Sequence, residues 1–227
     1  GLDRTMVAWR GVCRLLLVVC CASGVLPGTR SLSVHGSGER SQRHGWLARG
    51  PFLGRLSSGL VGGLVVGGRS ASAVELRAED GTYEFSYPAG FAVTSKPLKT
   101  HLVEVNVKSE AVRGYSAGLA VDPIKIPSLE AFGDPTTVGN RVVGVERRKD
   151  GVLSADLVGA ERAQDARGIV YYDLDYVAES TRGNNRFLSR IAIREGKLHV
   201  FTVQTKQADF GSVEAEARDM AQSFHLL

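Results

Sequence analysis

Residues 187–205 read FLSRIAIREGKLHVFTVQT. Two runs rich in apolar residues, 187–194 and 197–205, flank Glu195-Gly196, and glycine readily adopts the positive φ that a two-residue turn requires. This stretch therefore predicts a β-hairpin, and strand patterns continue from it towards the N-terminus.

Alternation of apolar and polar residues predicts further strands. It is clearest in residues 83–87, 103–107 and 171–176, where every second side chain is apolar. Such alternation places one face of a strand on a core and the other in solvent, which is typical of antiparallel sheets. Residues 116–121 and 152–158 are further strand candidates.

Two segments have helical periodicity. Asp134-Pro135 supplies an N-cap and a proline at the first helical position. Valines follow at helical spacing, and the basic residues 147–149 close this helix at its negative end. A second helix is predicted to start near Ser212, with the apolar stripe Val213, Ala217, Met220 and Phe224. This order of strands and helices predicts an α+β fold with helices packed on an antiparallel sheet.

The first 73 residues have the composition of targeting signals. Residues 1–27 contain a basic start and a short apolar core, which predicts a signal peptide because about 20 apolar residues are needed to span a bilayer. Residues 28–73 begin rich in serine, arginine and glycine, as in a transit peptide, and continue into a second apolar stretch. That stretch ends in an A-x-A site, so Ala71, Ala73 and Val74 are the predicted processing residues and 74–227 is the mature domain.

Successive signals of this kind indicate passage through several membranes. The predicted destination is the thylakoid lumen of a plastid, reached through the secretory route; a simple secreted protein is the competing interpretation. Residues 74–227 contain 19 basic and 22 acidic residues, so the basic character of the whole chain belongs to the targeting segment. The sequence therefore gives no indication of nucleic-acid binding.

The mature domain has few candidates for chemistry. It lacks cysteine, and His101, His199 and His225 are not at metal-ligand spacing. His199 lies in a strand pattern and is predicted to be a satisfied structural histidine. Asp173 and Asp175 share one strand face, where a cation site and a solvated face are both open and the solvated face is preferred. We expect no enzymatic activity.

One basic cluster is a candidate docking patch. Arg147, Arg148 and Lys149 could bind an acidic partner, or they could simply end a helix. The second interpretation is preferred, because cations are favourable at a helix C-terminus.

Several segments in order resemble the PsbP family, the extrinsic lumenal proteins of photosystem II and their relatives. The matching segments are DGTYEFSYPAGF at 80–91, AVDP at 120–123, SLEAFGDP at 128–135, YYDLDY at 171–176, EGKLHV at 195–200, where the family has tyrosine in place of His199, and SF at 223–224.

The resemblance implies an α/β/α sandwich around a central antiparallel sheet of about six strands. It also implies a non-enzymatic protein, peripheral on the lumenal side of the thylakoid membrane, that binds photosystem II lumenal subunits. Its role would be to support oxygen evolution through calcium and chloride retention, or to stabilise or assemble the complex. No cofactor is required, and calcium is the ion that the resemblance allows. The alternatives are an assembly factor for another photosynthetic complex, a lumenal small-ligand-binding module, or an enzyme.

The sequence departs from the family pattern at one metal-associated position. The histidine linked to metal binding in plant members corresponds to Arg186, and its acidic partner corresponds to Gln207. Because arginine stays protonated, it is not an ordinary metal ligand, and the site is not carried over. About eight residues separate Val74 from the first predicted strand, so the chain is more similar to PsbP-like and PsbP-domain proteins, which often act in assembly or stabilisation.

Overall fold

The computed structural model describes residues 72–95 and 101–227, which contain ten β-strands and two α-helices. The strands are β1 (Ala73–Arg77), β2 (Tyr83–Pro88), β3 (Phe91–Ser95), β4 (Val103–Ser109), β5 (Ser116–Pro123), β6 (Val152–Gln164), β7 (Val170–Ser180), β8 (Gly183–Arg194), β9 (Lys197–Lys206) and β10 (His225–Leu226). The helices are α1 (Pro135–Glu146) and α2 (Phe210–Gln222), and a 3₁₀ turn (Glu130–Phe132) precedes α1. The predicted signal and transit segments lie outside the described residues as far as Ala71, whereas the other two predicted processing residues, Ala73 and Val74, are the first two residues of β1.

A seven-stranded antiparallel sheet forms the centre of the domain, in the order β3-β4-β5-β9-β8-β7-β6. The predicted α+β fold is confirmed, with seven strands in this sheet rather than about six. The extra strand is the five-residue β3, whose apolar pattern is too short to be recognised from sequence. A second sheet, β1-β2-β10, takes up the strand predicted at 83–87.

The two faces of the large sheet are covered by different elements. Helix α1 and the 3₁₀ turn pack on one face, around Tyr172, Tyr176 and Phe187. Helix α2 and the small sheet cover the other face, around Phe201 and its aromatic neighbours. The predicted three-layer sandwich is therefore confirmed.

Both faces of the large sheet are covered, so the prediction of a half-buried strand at 171–176 is wrong and this strand is packed on both sides. Tyr171, assigned to the outward face, is fully buried, and Asp175 retains only 14% of its side-chain exposure. The alternation in this strand separates two packed faces, because α2 and the small sheet lie over the side that the sequence indicated as solvated.

The helix limits follow from capping. The Asp134 side chain accepts a hydrogen bond from the backbone N–H of Thr137 at 3.0 Å, which confirms the predicted N-cap of α1. The helix ends at Glu146, immediately before the basic residues 147–149. Helix α2 begins at Phe210, two residues before the predicted start, because the buried Phe210 ring packs against the core.

The predicted hairpin is confirmed. Arg194 pairs with Lys197, so Glu195 and Gly196 form a two-residue turn. Their φ values of 53° and 68° are those of a type I′ turn, whose twist matches the flanking strands.

Candidate functional site

Asp175 is the centre of an ion-pair cluster between the large sheet and α2. Arg186 on β8 donates to both of its carboxylate oxygens, from Nε to Oδ1 at 2.6 Å and from Nη2 to Oδ2 at 2.8 Å. Both side chains are 14% exposed. Such bidentate pairs are among the strongest hydrogen-bonded contacts in proteins, so β7 and β8 are held in one fixed register here.

Helix α2 contributes three further members of this Asp175 cluster. Arg218 donates to Asp175 Oδ2 at 3.2 Å and to Glu214 Oε1 at 2.9 Å. The guanidinium carbons of Arg186 and Arg218 lie 4.7 and 5.6 Å from the centre of the Phe210 ring, within cation–π range. The cluster therefore fastens α2 to the sheet.

Arg186, a member of this cluster, lies at the position that the family resemblance associates with metal binding. Both Asp175 oxygens accept from guanidinium groups, and Asp173 lies 3.4 Å from Arg190. Burial raises the pKa of Asp173, and the Arg190 charge partly offsets that rise. The preferred solvated face is therefore wrong for Asp175, whereas the Asp173 side chain keeps 34% of its exposure.

A metal cation does not fit beside Asp175 and Arg186. Guanidinium groups already hold Asp175, and Arg186 brings a fixed positive charge to the place where a metal ligand would be needed. In residues 72–95 and 101–227, no three His, Cys, Asp or Glu side chains are grouped to hold a metal ion.

The three histidines lie in separate places. The His101 ring, 2% exposed, contacts Asp122 on β5 through Nδ1 and Oδ2 at 2.7 Å. His225 is in β10, and His199 is a buried residue of β9. The prediction of a satisfied histidine is wrong for one ring nitrogen, since His199 Nδ1 has no hydrogen-bond partner within the described part of the chain. The sequence did not predict the His101–Asp122 pair. Asp122, an acidic residue inside an apolar strand pattern, is the signal that could have indicated it.

Burial of His199 predicts a loss of stability in mild acid. Burial, with a smaller contribution from the Lys197 charge, lowers the pKa of His199 from 6.5 to about 4. Between these values the unfolded state binds a proton that the folded state does not, so the folded state is favoured less as pH falls from 6.5 towards 4. We expect this residue alone to remove about 2 kcal/mol of stability between pH 7.5 and pH 5.

Urea unfolding at several pH values would measure this effect. A His199→Tyr variant, which has the residue of the family hairpin, is the matched control because tyrosine does not titrate in this range. The variant should lose less stability between pH 7.5 and pH 5 than the wild type. Equal losses in the two proteins would contradict the assignment.

The candidate docking patch is partly engaged in contacts within the domain. Arg147 donates to the Ala155 carbonyl at 2.7 Å and to Asp156 at 2.9 Å, and Lys149 donates to Glu146 at 2.6 Å. These contacts tie the end of α1 to β6 and favour the helix-ending role. Arg147 and Arg148 are exposed, so a contribution of this patch to docking stays a prediction.

One pocket of about 400 Å³ opens at the end of the large sheet where β6 turns into β7. We call it the β6–β7 pocket. It is lined by the 128–130 segment, by residues 167–170, and by Ile193 and Arg194 at the end of β8. Its walls come from three separate stretches of chain, which is why no sequence pattern indicated it.

These observations define a class of protein: a three-layer α+β sandwich in which buried charges hold the layers together. In the part of the chain that the structure describes, neither helix has the length and apolar character to cross a bilayer. A family model described as PsbP matches residues 74–226. The chain belongs to the PsbP family.

Two curated chloroplast proteins of Arabidopsis thaliana are similar to part of the chain. PsbP domain-containing protein 2 is 34% identical over 88 residues, which are 38% of this chain and 37% of that protein. PsbP domain-containing protein 7 is 29% identical over 105 residues, 44% of this chain and 37% of that protein. The chain therefore matches little more than a third of the length of each relative.

The fold is similar to the solution structure of cyanobacterial PsbP (CyanoP) from Synechocystis sp. PCC 6803. The TM-score is 0.59 at 24% sequence identity, and the match covers 75% of this chain and 98% of that one. At this identity, the likeness supports the fold alone.

Proposed function

We propose that this chain is a non-enzymatic extrinsic protein of the thylakoid lumen that binds the lumenal side of photosystem II. In this role it stabilises or helps to assemble the complex and so supports oxygen evolution. The observation that carries the proposal is the family match across residues 74–226. Chloroplast relatives and the successive targeting signals in residues 1–73 also support it.

The proposed mechanism is docking through surface complementarity, without a cofactor. Arginines occupy the candidate cation position, so an effect on calcium retention would come from covering the complex and not from a calcium ion held at Asp175. Charged pairs across such an interface set orientation and association rate. Arg147 and Arg148 are the exposed cations that we propose for this contact.

Native-gel separation of mildly solubilised thylakoids tests the proposal. We expect the chain to co-migrate with photosystem II and to be released by a high-salt wash, because salt screens exposed charge pairs. An Arg147→Gln/Arg148→Gln variant should bind several-fold more weakly than a control with Arg77→Gln and Arg182→Gln, two exposed arginines elsewhere.

Other migration patterns would overturn parts of the proposal. Migration with incomplete complexes would replace the stable subunit with an assembly factor. Migration with a different photosynthetic complex would reassign the partner, and recovery only outside plastids would reject the lumenal role altogether.

A further inference from the structure

The β6–β7 pocket has an apolar wall. Ile169, Val170 and Ile193 line it, and all three are partly buried in the domain. Leu129, 2% exposed, closes the pocket behind them. A volume of about 400 Å³ lies in the range of small-ligand sites, which are mostly apolar with a few polar groups that fix orientation.

The ladder between two neighbouring strands ends at this pocket. β7 begins at Val170 and β8 extends to Arg194, yet their pairing begins only at Tyr171 and Ala192. The two-residue turn directs the backbone groups of Arg194 towards Lys197. By alternation, those of Ile193 point towards β7, where its neighbour across the ladder is Val170. Val170 and Ile193 therefore lie beside each other at the end of the ladder, and their side chains form one continuous part of the apolar wall.

Two arginines stand at the pocket. Arg194 is 37% exposed, and its contact with Glu195 is long, at 3.6 Å. Arg167 is 47% exposed, lies 3.4 Å from the Asp165 carboxylate, which partly offsets its charge, and donates to the Leu226 carbonyl, which fixes its position. Glu130 lines the pocket too, but its carboxylate is 3.4 Å from Arg162, which offsets its charge. The pocket thus combines apolar surface with two partly exposed guanidinium groups whose ion pairs within the domain are long, at 3.4 and 3.6 Å.

We propose that the β6–β7 pocket binds an aliphatic group that ends in a carboxylate. The aliphatic part lies against Ile169, Val170 and Ile193, and the carboxylate is held by Arg194 with support from Arg167. A guanidinium group binds a carboxylate through two parallel hydrogen bonds, which gives the site its preference for this anion. The group could belong to a small free acid or to the C-terminus of a peptide. This inference does not depend on the docking partner of the protein.

The test is an NMR titration of the isotope-labelled domain, residues 72–227, observed through its backbone amides. The first probe is 4-methylpentanoate, and the second is the peptide acetyl-Ala-Ala-Leu with a free carboxylate. We expect shifts confined to residues 167–170 and 193–194 for at least one probe. The matched amide of each probe should bind about tenfold more weakly, and acetate, which lacks the aliphatic part, should cause no saturable shift.

A variant tests the role assigned to the arginine. Arg194→Gln should weaken binding about tenfold, whereas Arg182→Gln, at the exposed turn on the opposite end of β8, should leave it unchanged. Spectra of both variants without ligand would show that the fold is intact. If only the free acid binds, the ligand is a small molecule; if only the peptide binds, it is a chain terminus. Absence of saturable shifts with both probes, or equal binding by Arg194→Gln and wild type, would overturn the proposal.

Discussion

Replacing Asp175 with asparagine should lower the free energy of unfolding by about 3 kcal/mol, because removing one partner of a buried ion pair leaves the other charge uncompensated. Arg186 is 14% exposed and donates both of these hydrogen bonds to the Asp175 carboxylate. An asparagine side chain offers one acceptor oxygen and no charge. Urea unfolding at pH 7 would measure the loss.

The exposed ion pair between Asp156 on β6 and Arg147 provides the control for the Asp175→Asn variant. Asp156 contacts Arg147 at 2.9 Å, but its side chain is 65% exposed. Asp156→Asn should cost at most about 1 kcal/mol, as for other exposed pairs. Equal losses for the two variants would show that the Asp175 cluster does not hold α2 on the sheet.

Replacing Phe201 with alanine should have a still larger effect, a loss of about 4 kcal/mol, through the cavity left in the core. Phe201 is fully buried on β9. Its ring centre lies 4.7 Å from that of Phe85 on β2 and 5.4 Å from that of Phe224 after α2. The substitution therefore removes the ring that joins the large sheet to the small sheet and to the end of α2. Chemical or thermal unfolding would measure it.

Leu153→Ala is a suitable control for Phe201→Ala. Leu153 lies on the edge strand β6 and is 66% exposed, so its truncation should change stability by no more than about 0.5 kcal/mol. If Phe201→Ala costs as little as this control, the three rings do not form the contact that joins the layers.

Local signals were sufficient to predict much of the fold. The Glu195-Gly196 turn fixes the β8–β9 hairpin, and Asp134-Pro135 fixes the start of α1; both depend on neighbours in sequence. Residues 171–176 show the limit of such signals. An alternating aspartate is equally compatible with water and with a buried arginine, and Arg218 lies 43 positions beyond Asp175.

The candidate site was harder to predict for a related reason. The β6–β7 pocket is formed by segments near residues 129, 168 and 193, which only the folded sheet brings together. No single segment contains the apolar wall and the cations at once. The end of the β7–β8 ladder is set by strand pairing, and the pattern of side chains does not reveal where pairing stops.

The pairing of β2 with β10 sets a limit on when the domain can close during its synthesis or export. Residues 83–84 of β2 pair with residues 225–226, and Ser86 and Ser223, 137 positions apart, share a hydrogen bond. A chain that emerges from a ribosome or a membrane pore with its N-terminal end first therefore lacks one partner of β2 until residue 226 is free. Until then the small sheet lacks its third strand, so the closure of this long loop comes late in folding.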